Sequence, residues 1–308
     1  MAQIIHFKKL LNQIIYSARV TATGQLFFLP AMPATCLFNR FHSLESDSMK
    51  FKLCAAMLTL VASAAVPAFA ADWTVGANVG NVPWEFQDAS GKIVGFEIDL
   101  VNEAARRAGK TVQIENIPFN GLFSAVQSGR IQIAVSSITI TPKRLESVAF
   151  AQPYYDSDQS LSVLKATKIN SLEDTAGKTI GVDTGSTGDM YATQNTAKYK
   201  IATITRYEGL APAMLDLAAR RIDGYISDIP AVEYYIKDKP QYRIAARIPT
   251  GERYSFMTAK NWPEGARLND ILTEMKKDGF VSKTHQKWFG TVPPADSSTV
   301  KVMDVPKL

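Results

Sequence analysis

A short structural plan is written twice in this chain, and the repetition restricts its fold more than any other feature. Val75-Gly76-Ala77-Asn78-Val79-Gly80 and Ile180-Gly181-Val182-Asp183-Thr184-Gly185 each read as a strand running into a polar, glycine-containing loop, 105 residues apart. Farther along, the helix-like stretch Leu122 to Ser128 is followed by Gly129-Arg130 and the strand Ile131 to Val135, which ends in Ser136-Ser137. The same order returns 91 residues later: Ala213 to Ala219, the turn Arg220-Arg221, the strand Ile222 to Ile226, then Ser227-Asp228. Two matches in one order predict a pair of α/β units, each alternating strand with helix around a mainly parallel sheet. In open α/β sheets, ligands bind beyond the carboxyl ends of the strands. Asn78, Ser136 and Ser137 mark that edge in the first unit, and Asp183, Ser186, Thr187 and Asp228 mark it in the second. A cleft between the two edges is the expected site.

An apolar fraction of 46% with 20% charged residues excludes disorder and fibrous repeats. The one long apolar run in the first 71 residues, Leu53 to Ala65, follows Lys50 and Lys52 and precedes Pro67 and Ala68-Phe69-Ala70-Ala71. That order describes a secretory signal over residues 49–70, cleaved after Ala70. The run is shorter than the roughly 20 residues that span a bilayer. Met49 stands where such a signal would start, so residues 1–48 read as a start-site artefact or a disposable leader. Six Lys/Arg and two Asp/Glu lie at or before Ala71, which leaves 28 against 27 beyond it. The exported part is nearly neutral, and neither nucleic acid nor an anionic membrane is an expected partner. Cys36 and Cys54 fall in the removed segment, so no disulfide or thiol chemistry is expected. His285 is the only histidine after the signal; alone it assembles neither a common zinc site nor a Ser-His-Asp system. No metal, no cofactor and no catalytic residue is expected.

Helix signals fit the plan. Val101, Ala104, Ala105 and Ala108 recur at helical spacing before Gly109, and Thr141-Pro142 offers an N-cap with proline at the first helical position. Gly185-Ser186-Thr187-Gly188 opens a helix whose N-terminus suits an anion. Among the loop residues are groups able to satisfy a free amino acid, whose carboxylate and ammonium must both be paired when buried. Arg144 can fork onto a carboxylate. Asp228 can accept from the ammonium, and Ser137 and Thr139 can add neutral hydrogen bonds. Asp183 has two readings, turning its own loop or meeting a ligand side chain. For Glu97 and Asp99 the helix macrodipole is a sufficient partner, and Trp84 reads as a core aromatic.

GFEIDL at Gly95 to Leu100, the SSITITPKR run from Ser136 to Arg144 and the KWFG at Lys287 to Gly290 together resemble the bacterial extracellular solute-binding protein family 3. The resemblance covers Trp73 to about Val292. It implies a periplasmic-binding-protein-like (Venus flytrap) α/β fold, with lobe one from residues 71–157 and 253–308 and lobe two from 158–252. Two crossing strands, near Tyr155 to Gln159 and Ile248 to Tyr254, would join the lobes. It further implies a soluble, monomeric periplasmic protein that binds a free amino acid and hands it to an inner-membrane ABC permease. Carried over residue by residue, Arg144 takes the ligand carboxylate, while Ser137, Thr139 and Asp228 take the ammonium. Thr187 closes onto the carboxylate, and Phe119 forms an aromatic wall. Two departures bear on the ligand. Asn81 stands where several relatives have an aromatic residue, and Asn78 where an acid is common. With Arg144 and Asp228 cancelling the ligand's backbone charges, Asp183 favours a polar or cationic side chain. An exported dehydratase of cyclic amino-acid precursors on the same scaffold is the alternative, and a sensor module would need a separate partner.

Overall fold

The computed structural model describes residues 71–308; the leader, the signal of residues 49–70 and both cysteines expected above lie outside the described residues. Along the chain run β1 (Trp73–Ala77), the small hairpin β2 (Phe86–Gln87) and β3 (Ile93–Val94), α1 (Phe96–Ala108), β4 (Val112–Asn116), α2 (Phe119–Gln127), β5 (Ile133–Val135), α3 (Pro142–Leu145), β6 (Ala149–Phe150) and the long β7 (Tyr155–Leu164). A second series follows with β8 (Thr179–Asp183), α4 (Thr187–Tyr199), β9 (Thr203–Tyr207), α5 (Leu210–Ala218), β10 (Gly224–Asp228), α6 (Ile229–Ile236) and the long β11 (Tyr242–Tyr254). The chain then returns through β12 (Met257–Thr258), α7 (Gly265–Lys277) and α8 (Phe280–Phe289).

Two lobes result, each on a five-stranded sheet, ordered β4-β1-β5-β12-β6 and β9-β8-β10-β7-β11. Taken in that order, both sheets have two parallel ladders followed by two antiparallel ones. The repeat seen in the sequence is therefore a repeat of topology, with β1 matching β8 and β5 matching β10. The expectation of mainly parallel sheets is corrected to mixed ones. The strands beside β5 and β10 are β12 and β7, which enter next to the lobe crossing without an intervening helix to reverse them, so they pair antiparallel. β7 and β11 form a two-stranded ribbon, from Tyr155 opposite Tyr254 to Leu164 opposite Tyr242, with register shifts between Ile244 and Ala246 and between Ile248 and Glu252.

The core follows from the apolar spacing. Phe96, Leu100, Val101 and Ala104 of α1 are sealed against Trp73, Val75 and Ile133 and against Leu268, Ile271, Leu272 and Met275 of α7. In the second sheet Ile180, Val182 and Ile226 pack on Ala192 of α4. Gly109 closes α1 in the left-handed conformation expected of a glycine cap. His285 is buried, bonds the Thr291 carbonyl at 2.9 Å and stacks on Tyr155. Trp84 is fully buried among Phe96, Tyr155, Tyr254 and Phe289.

The three sequence signatures meet one another. Asp99 of GFEIDL accepts from Lys287 Nζ at 2.6 Å and from Trp288 Nε1 at 2.7 Å, both in KWFG. Glu97 of GFEIDL accepts the backbone N–H of Ser137 in SSITITPKR, at 2.9 and 3.1 Å to its two oxygens. The macrodipole reading of these two acids is thus replaced by specific tertiary partners. The signature glycine has its own reason: at Gly95 φ is +144°, and an added Cβ would lie 2.1 Å from the Trp84 carbonyl oxygen.

Candidate functional site

A cavity of about 160 Å³ lies between the facing carboxyl edges of the two sheets. All eleven residues proposed from the sequence line it: Asn78, Asn81, Phe119, Ser136, Ser137, Thr139, Arg144, Asp183, Ser186, Thr187 and Asp228. Glu208, Gly209 and the first turn of α5 also line it, with Val79, Gly80, Ser227 and Ala231.

On the first lobe, α3 holds Arg144, and the Thr141 hydroxyl caps that helix by accepting the Arg144 N–H at 3.2 Å. The guanidinium is only 7% exposed and lies over the rings of Phe119 and Phe123, 5.4 and 5.0 Å from their centroids. It donates to the Thr139 carbonyl at 2.7 Å and, across the cleft, to the Gly185 carbonyl at 3.3 Å. Neither partner is a carboxylate. Burial draws its pKa down to about 10 against the attraction of Glu252 and Asp228, so it stays charged at neutral pH. Ser137 adopts a left-handed φ of 44°, uncommon outside glycine, and its anchored N–H holds it there. Its hydroxyl accepts from Asn81 Nδ2 at 3.2 Å and donates to Asp228 at 3.3 Å. Ser136 turns its hydroxyl away from the cavity, onto the buried Glu85 at 2.7 Å.

On the second lobe, Ser186 caps α4 by accepting the Asp189 N–H at 3.0 Å, and a bidentate Arg206–Asp189 pair fixes that first turn. Gly188 lets the turn sit on β10, since a Cβ there would lie 2.9 Å from both the Ile226 carbonyl oxygen and Gln159 Oε1. Asp183 does not turn its own loop through its side chain. Its backbone carbonyl accepts the Ser186 N–H at 3.0 Å, while its carboxylate accepts the Tyr225 hydroxyl at 2.6 Å. The other oxygen, Oδ1, is sealed and has no hydrogen-bond partner among the described residues. Burial pushes the Asp183 carboxyl up to about 6. Burial and the neighbouring Glu252 push Asp228 up to about 7.

Behind these groups stands a polar layer that motif spacing did not reveal. Glu252, on the β11 ribbon, accepts from Thr139 Oγ1 at 2.6 Å on one lobe and Thr187 Oγ1 at 2.9 Å on the other. Gln159, on β7, donates to Glu252 at 3.1 Å, to Thr187 at 3.2 Å and to Asp228. Beneath Ser136 and Ser137, Glu85 and Glu97 are both fully buried. Burial, together with the charge of Glu97, holds the Glu85 carboxyl well above its ordinary range. Glu252 and Gln159 lie on the crossing strands anticipated from the sequence, yet nothing in their local pattern distinguishes them from other strand polar residues. Among the described residues no cluster of His, Cys, Asp or Glu is placed to hold a metal ion, and no helix is long and apolar enough to cross a membrane.

Two α/β lobes on a paired-strand hinge, with polar and charged side chains converging on a small cavity from both sides, define a cleft-type solute-binding protein. The chain belongs to the bacterial extracellular solute-binding proteins, family 3, whose profile matches residues 73–291. It is 31% identical over 214 residues to the putative ABC transporter arginine-binding protein 2 of Escherichia coli K12, an alignment covering 67% of this chain and 86% of that protein. It is also similar to the arginine-, lysine-, histidine-binding protein ArtJ of Geobacillus stearothermophilus, with a TM-score of 0.68 and 29% identity over 73% of this chain and 97% of that one. A further solved neighbour is the ancestral amino acid-binding protein AncCDT-1, a precursor of cyclohexadienyl dehydratase. Its TM-score is 0.64, with 31% identity over 70% of this chain and 94% of that one.

Proposed function

We propose that this chain is the solute-binding component of an ABC-type importer, and that it captures a free, cationic L-amino acid and presents it to an inner-membrane permease. The observation that carries the reading is Arg144, a buried guanidinium whose hydrogen bonds among the described residues go only to backbone carbonyls, at the wall of a cavity that Asp228 also lines. A zwitterion meets both needs at once, with its carboxylate on Arg144 and its ammonium on Asp228. Thr187 and Ser137 supply hydroxyls beside them. Asp183 and Glu208 then leave the cavity with an excess of negative charge, which a cationic side chain offsets. The printed names of the arginine-binding relative and of ArtJ agree with that class.

The mechanism that follows is hinge closure. The ligand docks on the lobe carrying Arg144, taken as residues 71–157 and 253–308. The lobe of residues 158–252 then swings in with Thr187 and Asp228, and the closed outer surface is what the permease reads. The protein works as a monomer without a cofactor, exported on the signal of residues 49–70. A thermal-shift screen of the twenty amino acids on ligand-stripped protein tests the class. Stabilisation by arginine, lysine or histidine is expected, and a preference for glutamate or aspartate would overturn it. The dehydratase alternative draws support from the AncCDT-1 likeness alone. Incubation with prephenate or arogenate should leave both substrates unchanged.

A further inference from the structure

The charges of the cavity are divided unequally between its walls. At the carboxyl ends of β1, β4 and β5 stand Asn78, Phe119 and the Ser136-Ser137 pair, none of them ionic, and the cation Arg144 is added from α3. At the ends of the topologically matching β8, β9 and β10 stand Asp183, Glu208 and Asp228. The sheet order β9-β8-β10 sets these three acids on consecutive strands. With strands about 4.8 Å apart, the row extends about 10 Å from Asp228 through Asp183 to Glu208. That length suits an amino acid whose ammonium sits on Asp228 and whose side chain runs along the sheet edge.

We propose that the side-chain charge of the ligand is read by the lobe that closes, through Asp183 with Glu208 beside it, so that selection for a cation occurs at closure and not at first docking. The inference rests on the amino-acid reading given above. On the first wall no acid lines the cavity, and its one charge, Arg144, suits the carboxylate that every amino acid shares. On the second, Asp183 Oδ1 is sealed without a partner. Closing strips water from the rest of this acidic edge, which lines the cavity through Asp183 and Glu208, and a buried anion left unpaired is costly. A cationic side chain supplies the missing partner, whereas a neutral one leaves the cost in place. The closed state is therefore favoured only by ligands that bind it better than the open one.

Arginine and citrulline separate the two steps, because citrulline keeps arginine's length while replacing the guanidinium by a neutral ureido group. Each is titrated calorimetrically into the exported protein, and compaction is followed by small-angle X-ray scattering. Arginine should compact the protein and bind at least about tenfold more tightly than citrulline, which should bind without compaction. Asp183→Asn should weaken arginine by about tenfold or more and citrulline by less than about twofold. Glu208→Gln, at an exposed position, should act in the same direction with a smaller effect, and it keeps the test readable where Asp183→Asn does not fold. Compaction by citrulline equal to that by arginine, or equal weakening of both ligands in the two variants, overturns the proposal while leaving an amino-acid site. Binding of neither amino acid to the wild-type protein overturns the underlying reading as well.

Discussion

The two walls of the cleft share a topology and differ in chemistry. Each is the carboxyl edge of a sheet whose first three strands are parallel, and each positions its side chains where strands end and helices begin. The first wall presents amides, hydroxyls and an aromatic ring around a single buried guanidinium, whereas the second presents a carboxylate at every matching strand end. The backbone plan thus sets where functional groups can stand, and the residues at three loop positions set what they recognise. A buried cation on one wall and acids on the other also attract across the cleft. Two hydrogen bonds already span the cleft, from the Arg144 guanidinium to the Gly185 carbonyl and from the Ser137 hydroxyl to Asp228.

The sharpest way to break the contrast is to remove the charge of the first wall. Arg144→Ala should cost roughly 2–5 kcal/mol of binding, the range for losing one partner of a buried charge pair. The loss should be the same for arginine and citrulline by titration calorimetry, since Arg144 meets the carboxylate both carry. Unequal losses would show that Arg144 also senses the side chain. Asp228→Asn comes next, with about 2 kcal/mol of lost binding and an opposite effect on the free protein. The variant removes a carboxyl held up at about 7 by burial and Glu252, so the ligand-free melting temperature should rise. A fall in both quantities would mean that Asp228 stabilises the fold itself.

Acidity should reproduce part of that behaviour in the unmodified protein. The folded pKa values of Asp183 and Asp228, about 6 and about 7, lie above the ordinary 3.8. The folded state therefore binds more protons than the unfolded one at intermediate pH, and stability increases as pH falls from 7 towards 5.5. Buried Glu85 and Glu97 act in the same sense. His285, with its pKa lowered by burial, opposes them as a single group. Lys276, drawn down to about 7 by burial, opposes them weakly near pH 7 and has no effect well below it. Melting curves of the ligand-free protein should accordingly shift upward between pH 7 and 5.5. Arginine affinity should fall over the same interval as Asp183 and Asp228 lose charge, and a rise in affinity would contradict the assignment of both acids.

Two smaller effects distinguish the site from its supports. Glu252→Gln keeps an acceptor for the Thr139 and Thr187 hydroxyls but removes its charge, and it should cost about 1 kcal/mol, chiefly as faster ligand release in stopped-flow measurements. Asp99→Asn should cost at most about 1 kcal/mol of stability, because the Lys287 pair is partly exposed, and should leave ligand binding unchanged.

Much of this arrangement was legible in the chain. Strand-to-loop transitions at Ala77-Asn78, Val135-Ser136 and Val182-Asp183 are local events, written in apolar runs that stop at polar or small residues, and eight of the eleven site residues lie on or near these three. The Thr141-Pro142 cap announced the helix that holds Arg144 for the same local reason. Glu208, Gln159 and Glu252 were not legible, because their importance comes from neighbours 25 to 113 residues away: Glu208 joins the acid row only through the β9-β8-β10 order, and Glu252 meets Gln159 only through the β7–β11 ribbon. The sequence by itself determined two α/β units and a cleft at their strand ends, and it singled out an arginine and an aspartate as candidates for a ligand's charges. Only the tertiary structure decided that the acids form one row on one wall. Hydrophobic periodicity specifies each strand and helix, but the order of strands in a sheet is set by long-range pairing, and that order determines which charges share a surface.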